Sequence, residues 1–371
     1  MRKLAMLGTA LAVAASLTAT AVQAQTKEIN FGIIATEASS NLKTIWEPFL
    51  AEMAKGTGMK VNGFYASDYA GVIEAMRFKK VQIAWYGNKS AMEATNRADG
   101  QIFVQSVDSD GNPGYWSHLI VQNDSPIKNL QDVLKCDKTL NFGIGDPNST
   151  SGFLVPTSYI FADKNIDPKD CFKTVRNASH EANAMAVANK QIDVGTNNSE
   201  NLRRLEKTAP DAAKKIRVIW TSPLIPSDPI VWRKDLSAED KTKLYTFLLS
   251  YGRIGLPDEI AAAKKILAGL QWAPFSPSAD DQLLPIRILE ANKSIMKIKG
   301  DAKLSADEKA AQVKALEADI KTWQAEADKA NASPFRKKVA EFQEADKAGD
   351  QAKLKKIIAE LATSVTSTPM N

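Results

Sequence analysis

The 371-residue chain is poor in the side chains that hold metals: it has two histidines and two cysteines. His118, His180, Cys136 and Cys171 match none of the usual ligand spacings, so the sequence gives no metal centre and calls for no cofactor. It lacks a Gly-x-Ser-x-Gly elbow, and no glycine-rich turn carries the lysine of a phosphate-binding loop. It also lacks a concentrated basic patch. Lys and Arg number 48 against 43 Asp and Glu, a formal charge of +5, which does not argue for nucleic acid. No apolar run reaches the ~20 residues that span a bilayer.

What is present begins with an address. Arg2 and Lys3 precede an apolar run over residues 4–16, which ends in small and polar residues at Val22-Gln23-Ala24. This is the pattern of a cleavable secretory signal, residues 1–24, cut after about Ala24. The run is short for a membrane anchor, and no cysteine follows it to carry a lipid. The rest of the chain is long enough for two ordinary domains. In an oxidising compartment Cys136 and Cys171 can form a disulfide. Each stands just before a strand-like segment, so neighbouring parallel strands would bring the thiols together; free thiols are the alternative.

Strand and helix signals alternate. Strands are expected at KEINFGIIAT from Lys27, MKVNGFYAS, VQIAWYG and 101–108, with helices over 42–53 and 68–78. After Pro113-Gly114 a second series begins with GYWSHLIVQ. It continues through TLNFGIGD, a helix over 153–164, FKTVRN, a helix over 181–189 and QIDVGTNN. A Pro-rich turn interrupts strand character over 215–232, and helices are expected at 245–252 and 259–269. The alternation predicts an α/β fold with open, mostly parallel sheets. From residue 306 the composition turns to Ala, Lys, Glu and Gln. Val313, Leu316, Ile320 and Trp323 form one helical stripe, and Leu354, Ile358, Leu361 and Val365 another. Breaks fall at 331–334 and 349–350. Such stripes must pack on the parent chain or on a second copy.

The sharpest chemical signal is Gly145-Asp146-Pro147-Asn148-Ser149-Thr150-Ser151-Gly152, between a strand and a helix. Its hydroxyls and amides suit an oxyanion, or simply cap the helix. His180-Glu181 stands at a strand–helix junction, as a donor into a cleft or as a polar surface pair. Glu200 and Asp228 adjoin loops. Acids beside an anion site make sense only if the ligand also carries a cation; surface carboxylates are the plainer reading. Ser149, His180 and Asp228 also spell a hydrolase triad, but Ser149 lies in a turn better suited to holding an anion. Tyr69 opens a helix, and Tyr115 follows Gly114 at the suspected domain junction. Trp85, near a strand end, reads as core.

With these segments assembled, the chain resembles the phosphonate-binding proteins of bacterial ABC importers. The likeness rests on Asn30-Phe31-Gly32-Ile33-Ile34, Phe64-Tyr65-Ala66-Ser67-Asp68-Tyr69-Ala70-Gly71, Met76-Arg77-Phe78, Ile83-Ala84-Trp85-Tyr86-Gly87-Asn88 and Gly111-Asn112-Pro113-Gly114-Tyr115-Trp116-Ser117. It also rests on 145–155, Val187-Ala188-Asn189-Lys190-Gln191 with Asp193, and 223–233, and runs from about Glu28 to about Ile288. The resemblance implies a type II periplasmic binding protein. Two α/β lobes, 25–116 with 221–298 and 117–220, would close over a cleft about a hinge, followed by a helical extension over 299–371 packed on the first lobe or in a dimer interface. It implies that Ser149, Thr150, Ser151, Tyr69 and His180 hold the phosphonate, and that Tyr115, Glu200 and Asp228 surround the organic end. The expected ligand is 2-aminoethylphosphonate, handed to a membrane permease, with phosphite or phosphate transport as the alternative and a secreted phosphonate-processing enzyme behind it. Ser179 stands where the family has glycine before the histidine. The cysteine pair and the long tail also depart from the family pattern.

Overall fold

The computed structural model describes residues 27–367; the secretory signal and its expected cleavage site lie outside them. The first lobe is built on a six-stranded sheet. Its strands are β1 (Glu28–Ile33), β2 (Lys60–Tyr65), β3 (Ile83–Trp85) and β4 (Gly100–Asp108), joined later by two from the far side of the chain. The chain then passes through β5 (Gly114–Tyr115) into the second lobe, which holds β6 (Ser117–Gln122), β7 (Asn141–Ile144), β8 (Thr174–Asn177), β9 (Val194–Asn198) and β10 (Ile216–Thr221). It returns through β11 (Ile225–Pro226) to β12 (Pro229–Arg233) and β13 (Trp272–Pro277). The sheet orders are β13-β4-β12-β3-β1-β2 and β10-β6-β9-β7-β8, with β11-β5 between them.

The sheets are mixed, which corrects the expectation of mostly parallel ones. β1 runs parallel to β2 and β3, but β12 enters antiparallel between β3 and β4. The cause is connectivity: a strand arriving from the other lobe is free of the strand–helix–strand crossover that forces parallel pairing. At the crossing itself, Gly114 admits no side chain, because a Cβ there would lie 1.9 Å from the Ile225 carbonyl oxygen. Two backbone pairs, Ile225 with Tyr115 and Pro226 with Gly114, tie the two crossings together.

The core of the first lobe gathers Trp46 against Phe31, Phe49, Trp85 and Trp272. The helix Asn88–Arg97 was not legible in the sequence. It is polar, yet buries Asn88, Lys89 and Ser90, so no apolar period marks it. In the second lobe Cys136 and Cys171 are bonded, with Cα atoms 4.0 Å apart. They precede the parallel neighbours β7 and β8.

The tail helices Pro334–Lys347 and Gln351–Ser367 belong to the first lobe's core through Phe342, Leu354, Ile357, Ile358 and Leu361. Arg253 fastens them by ion-pairing with Asp346 at 2.8 Å and lying over the Phe342 ring. The helix Ala306–Asn331 instead packs on Leu284–Gly300 and buries no residue fully.

Candidate functional site

Tyr69, Tyr115, Ser149, Thr150, Ser151, His180, Glu200 and Asp228 all border one cavity between the lobes. Tyr69 and Asp228 come from the first lobe, Tyr115 from the crossing strand β5, and the rest from the second lobe. The cavity measures ≈ 30 Å³.

One end is rich in neutral donors. The chain leaves β7, turns, and enters a helix at Thr150, three residues earlier than the apolar pattern indicates. Its first turns are wide. The Leu154 amide donates to the Ser149 carbonyl at 3.0 Å, five residues back rather than four. Ser149 caps this helix by accepting the Gly152 amide at 3.0 Å. Gly152 is required there, since a Cβ would lie 2.9 Å from Ser149 Oγ and 3.0 Å from the His180 ring. His180 Nε2 points at the same cluster, 3.4 Å from Ser149 Oγ, 3.4 Å from Ser151 Oγ and 3.2 Å from Asn198 Nδ2. Burial pushes the imidazole down to about 4, so it is neutral at pH 7. Ser179 caps the helix His180–Ala188 by accepting the Ala182 amide at 3.2 Å. Tyr69 borders this end from the other lobe, and burial raises its phenol further above the ordinary value, with Ser149 opposing.

The other end is acidic. Tyr115 donates to Asp228 Oδ1 at 2.8 Å. Asp228 lies well above the ordinary carboxyl range, because it is buried and because Glu200 is close; Tyr115 and the Asn88 amide offset this in part. Glu200 is half-buried as a residue, but desolvation of its carboxyl pushes it up to about 7, with Arg204 opposing and Asp108 adding to the shift. Among the described residues neither Glu200 nor Asp228 forms an ion pair. Arg204 pairs with Glu37 across the cleft at 2.7 Å. Two desolvated carboxylates side by side are costly without a cation.

Several residues at the cavity were not singled out from the sequence. Asn198 caps the helix Ser199–Thr208 and donates to Ser151 Oγ at 3.0 Å. Its place in TNNSE, one residue before a helix, was the available signal. Glu37, Arg204 and Trp272 also line the cavity, and nothing in their local sequence marks them.

A family model described as the periplasmic substrate-binding protein of phosphonate ABC transporters matches residues 31–283. The chain is 55% identical over 296 residues to the phosphonates-binding periplasmic protein of Escherichia coli K12, spanning 80% of this chain and 86% of that one. It superposes on a binding-protein component of an ABC phosphonate transporter from Pseudomonas aeruginosa with a TM-score of 0.79 at 54% identity, over 83% of this chain and 100% of the other. PhnD1 of Prochlorococcus marinus MIT 9301, solved with methylphosphonate, shares the fold at a TM-score of 0.62 and 22% identity, over 72% and 99% of the two chains. With two lobes joined by a hinge around a cleft, and a family match over most of its length, the chain belongs to the periplasmic phosphonate-binding proteins of ABC transporters, substrate-binding components rather than enzymes.

Proposed function

We propose that the chain captures 2-aminoethylphosphonate and delivers it to the membrane permease of an ABC importer. The observation that carries this reading is the desolvated pair Glu200 and Asp228, which forms no ion pair among the described residues and stands beside a cluster of neutral donors. A phosphonate at the donors leaves an acidic wall that phosphate, phosphite or methylphosphonate would only aggravate. A ligand with an ammonium would relieve it.

In this reading Ser149, Thr150 and Ser151 hold the phosphonate oxygens with hydroxyls and helix-terminal amides. Tyr69 contacts that group from the opposite lobe, and neutral His180 adds a donor. Glu200 and Asp228 receive the ammonium, with Tyr115 fixing Asp228. Residues 25–116 with 221–298 move as one body and 117–220 as the other. The mature protein begins after about Ala24. The half-covered stripe Val313, Leu316, Ile320 and Trp323 on the helix Ala306–Asn331 supports a homodimer through the tail.

Calorimetry with 2-aminoethylphosphonate, methylphosphonate and inorganic phosphate tests the assignment. The aminophosphonate should bind tightest, and Glu200→Gln should weaken it ten- to a hundredfold, the worth of one charge-assisted hydrogen bond of ~1.5–3 kcal/mol. Comparable weak binding of all three ligands would remove the case for an ammonium pocket.

A further inference from the structure

Glu181 follows His180 in the same motif, yet it does not line the cavity. Its carboxylate reaches across the cleft instead. Oε2 accepts the Ala38 amide at 2.8 Å and Oε1 accepts the Asn41 side-chain amide at 2.7 Å. Ala38 is the N-cap of the helix Ser39–Thr57, which has no side-chain cap of its own and no acid in its first turn. In a capping box the third helical residue is Glu or Gln and accepts the N-cap amide. Here that residue is Asn41, and the acceptor comes from the opposite lobe.

The arrangement recurs along the cleft. The helix Tyr69–Arg77 donates its first amide to Asp146 at 3.3 Å. The helix Asn88–Arg97 donates the Lys89 amide to Thr150 Oγ1 at 2.8 Å. Three helix starts of the first lobe thus end on second-lobe acceptors. Thr150 borders the ligand cavity and Asp146 belongs to the turn that leads into it, but Glu181 stands apart. The like charge of Glu37 faces it from the first lobe, and Glu37 is itself ion-paired with Arg204 of the second.

We infer that Glu181 determines affinity without touching the ligand, by capping a helix of the opposite lobe only when the lobes are closed. Separating the lobes breaks both bonds of its carboxylate, along with the bond from the Glu181 amide to the Thr36 carbonyl at 3.4 Å, and returns the helix Ser39–Thr57 to water without a cap. Where the free protein is mostly open, any stabilisation confined to the closed form enters the apparent affinity in full and equally for every ligand. A helix-cap acceptor of this kind should be worth roughly a three- to thirtyfold change in affinity. The inference holds whichever phosphonate is preferred.

Two variants test it. Glu181→Ala removes the acceptor, while the helix His180–Ala188 keeps its Ser179 cap. Asn41→Glu gives the first-lobe helix a capping-box acceptor of its own and sets a like charge against Glu181. Calorimetry with methylphosphonate and 2-aminoethylphosphonate should show each variant weakened by the same factor for both ligands. Urea unfolding without ligand should show midpoints that fall far less than the affinities, and Asn41→Glu should hold or raise its midpoint. Small-angle scattering should show the free wild type open. A loss confined to the aminophosphonate would place Glu181 in ligand reading and overturn the inference. So would unchanged affinity in either variant, a ligand-free stability loss as large as the affinity loss, or a free protein that is already closed.

Discussion

Closing on a ligand that brings no cation should draw protons into the cavity. In an open cleft the Glu200 carboxyl is solvated and keeps its ordinary value of 4.5; closed, it is pushed up to about 7, by burial first. A raised carboxyl favours the protonated acid in the closed form. Closure is therefore unpenalised below pH 4.5, and the penalty grows as pH rises, reaching its full size above pH 7, where a bare carboxylate must be buried. At 1.36 kcal/mol for each unit, the difference amounts to about 3 kcal/mol, a factor on the order of 100 in affinity. Asp228 is displaced in the same direction by burial and by Glu200, and so adds to the effect. An ammonium tail cancels most of it. Selectivity for 2-aminoethylphosphonate over methylphosphonate should rise on the order of 100-fold between about pH 5 and pH 8. Near pH 6, methylphosphonate binding should take up about one proton that the aminophosphonate does not. Calorimetry in buffers of different ionisation enthalpy measures that proton directly. The phosphonate groups themselves titrate, so each profile is compared with Glu200→Gln, where the ligand's own contribution is unchanged. Identical pH slopes in wild type and Glu200→Gln would refute the reasoning, because Glu200 would then carry no charge that the ligand reads.

Ser149→Ala and Tyr69→Phe should each weaken phosphonate binding by ~1.5–3 kcal/mol in calorimetry, with urea midpoints near wild type; unchanged affinity in both would reject the anion site. Reducing the Cys136–Cys171 bond, which closes a sequence separation of 35, should destabilise the second lobe by about 4 kcal/mol in denaturant unfolding. Ile358→Ala should cost the first lobe ~2–5 kcal/mol, since Ile358 is 2% exposed within that core. If its midpoint stayed at the wild-type value, the last helix would not be part of the core.

Local chemistry reached only part of this site, a possible oxyanion turn, and the family resemblance supplied the rest of the residue set. Ser149, Thr150 and Ser151 stand in a turn between a strand and a helix, and such a turn exposes hydroxyls and amides whatever surrounds it. His180 and Glu200 likewise head helices. What stayed hidden depends on contacts distant in sequence. Glu37 and Arg204 meet only across the cleft, and the helix Asn88–Arg97 buries polar residues that carry no apolar period. The sheets' mixed direction was equally unreadable, because strand polarity follows the route of the chain between lobes and not the composition of any strand. The tail's stripes were legible as helices, but which surface each one covered was not: the stripe of Gln351–Ser367 sinks into the first lobe, whereas that of Ala306–Asn331 stays half-covered.

The first lobe draws its core from both ends of the chain, from Ile29 to Val365, whereas the second lobe is one continuous stretch held by a short cross-link. That asymmetry sets an order of assembly. Contacts between distant residues form late, because the intervening loop must first be closed. The second lobe can therefore fold as soon as its own residues emerge. The first lobe waits for the helix Gln351–Ser367, whose Leu354, Ile358 and Leu361 complete its core.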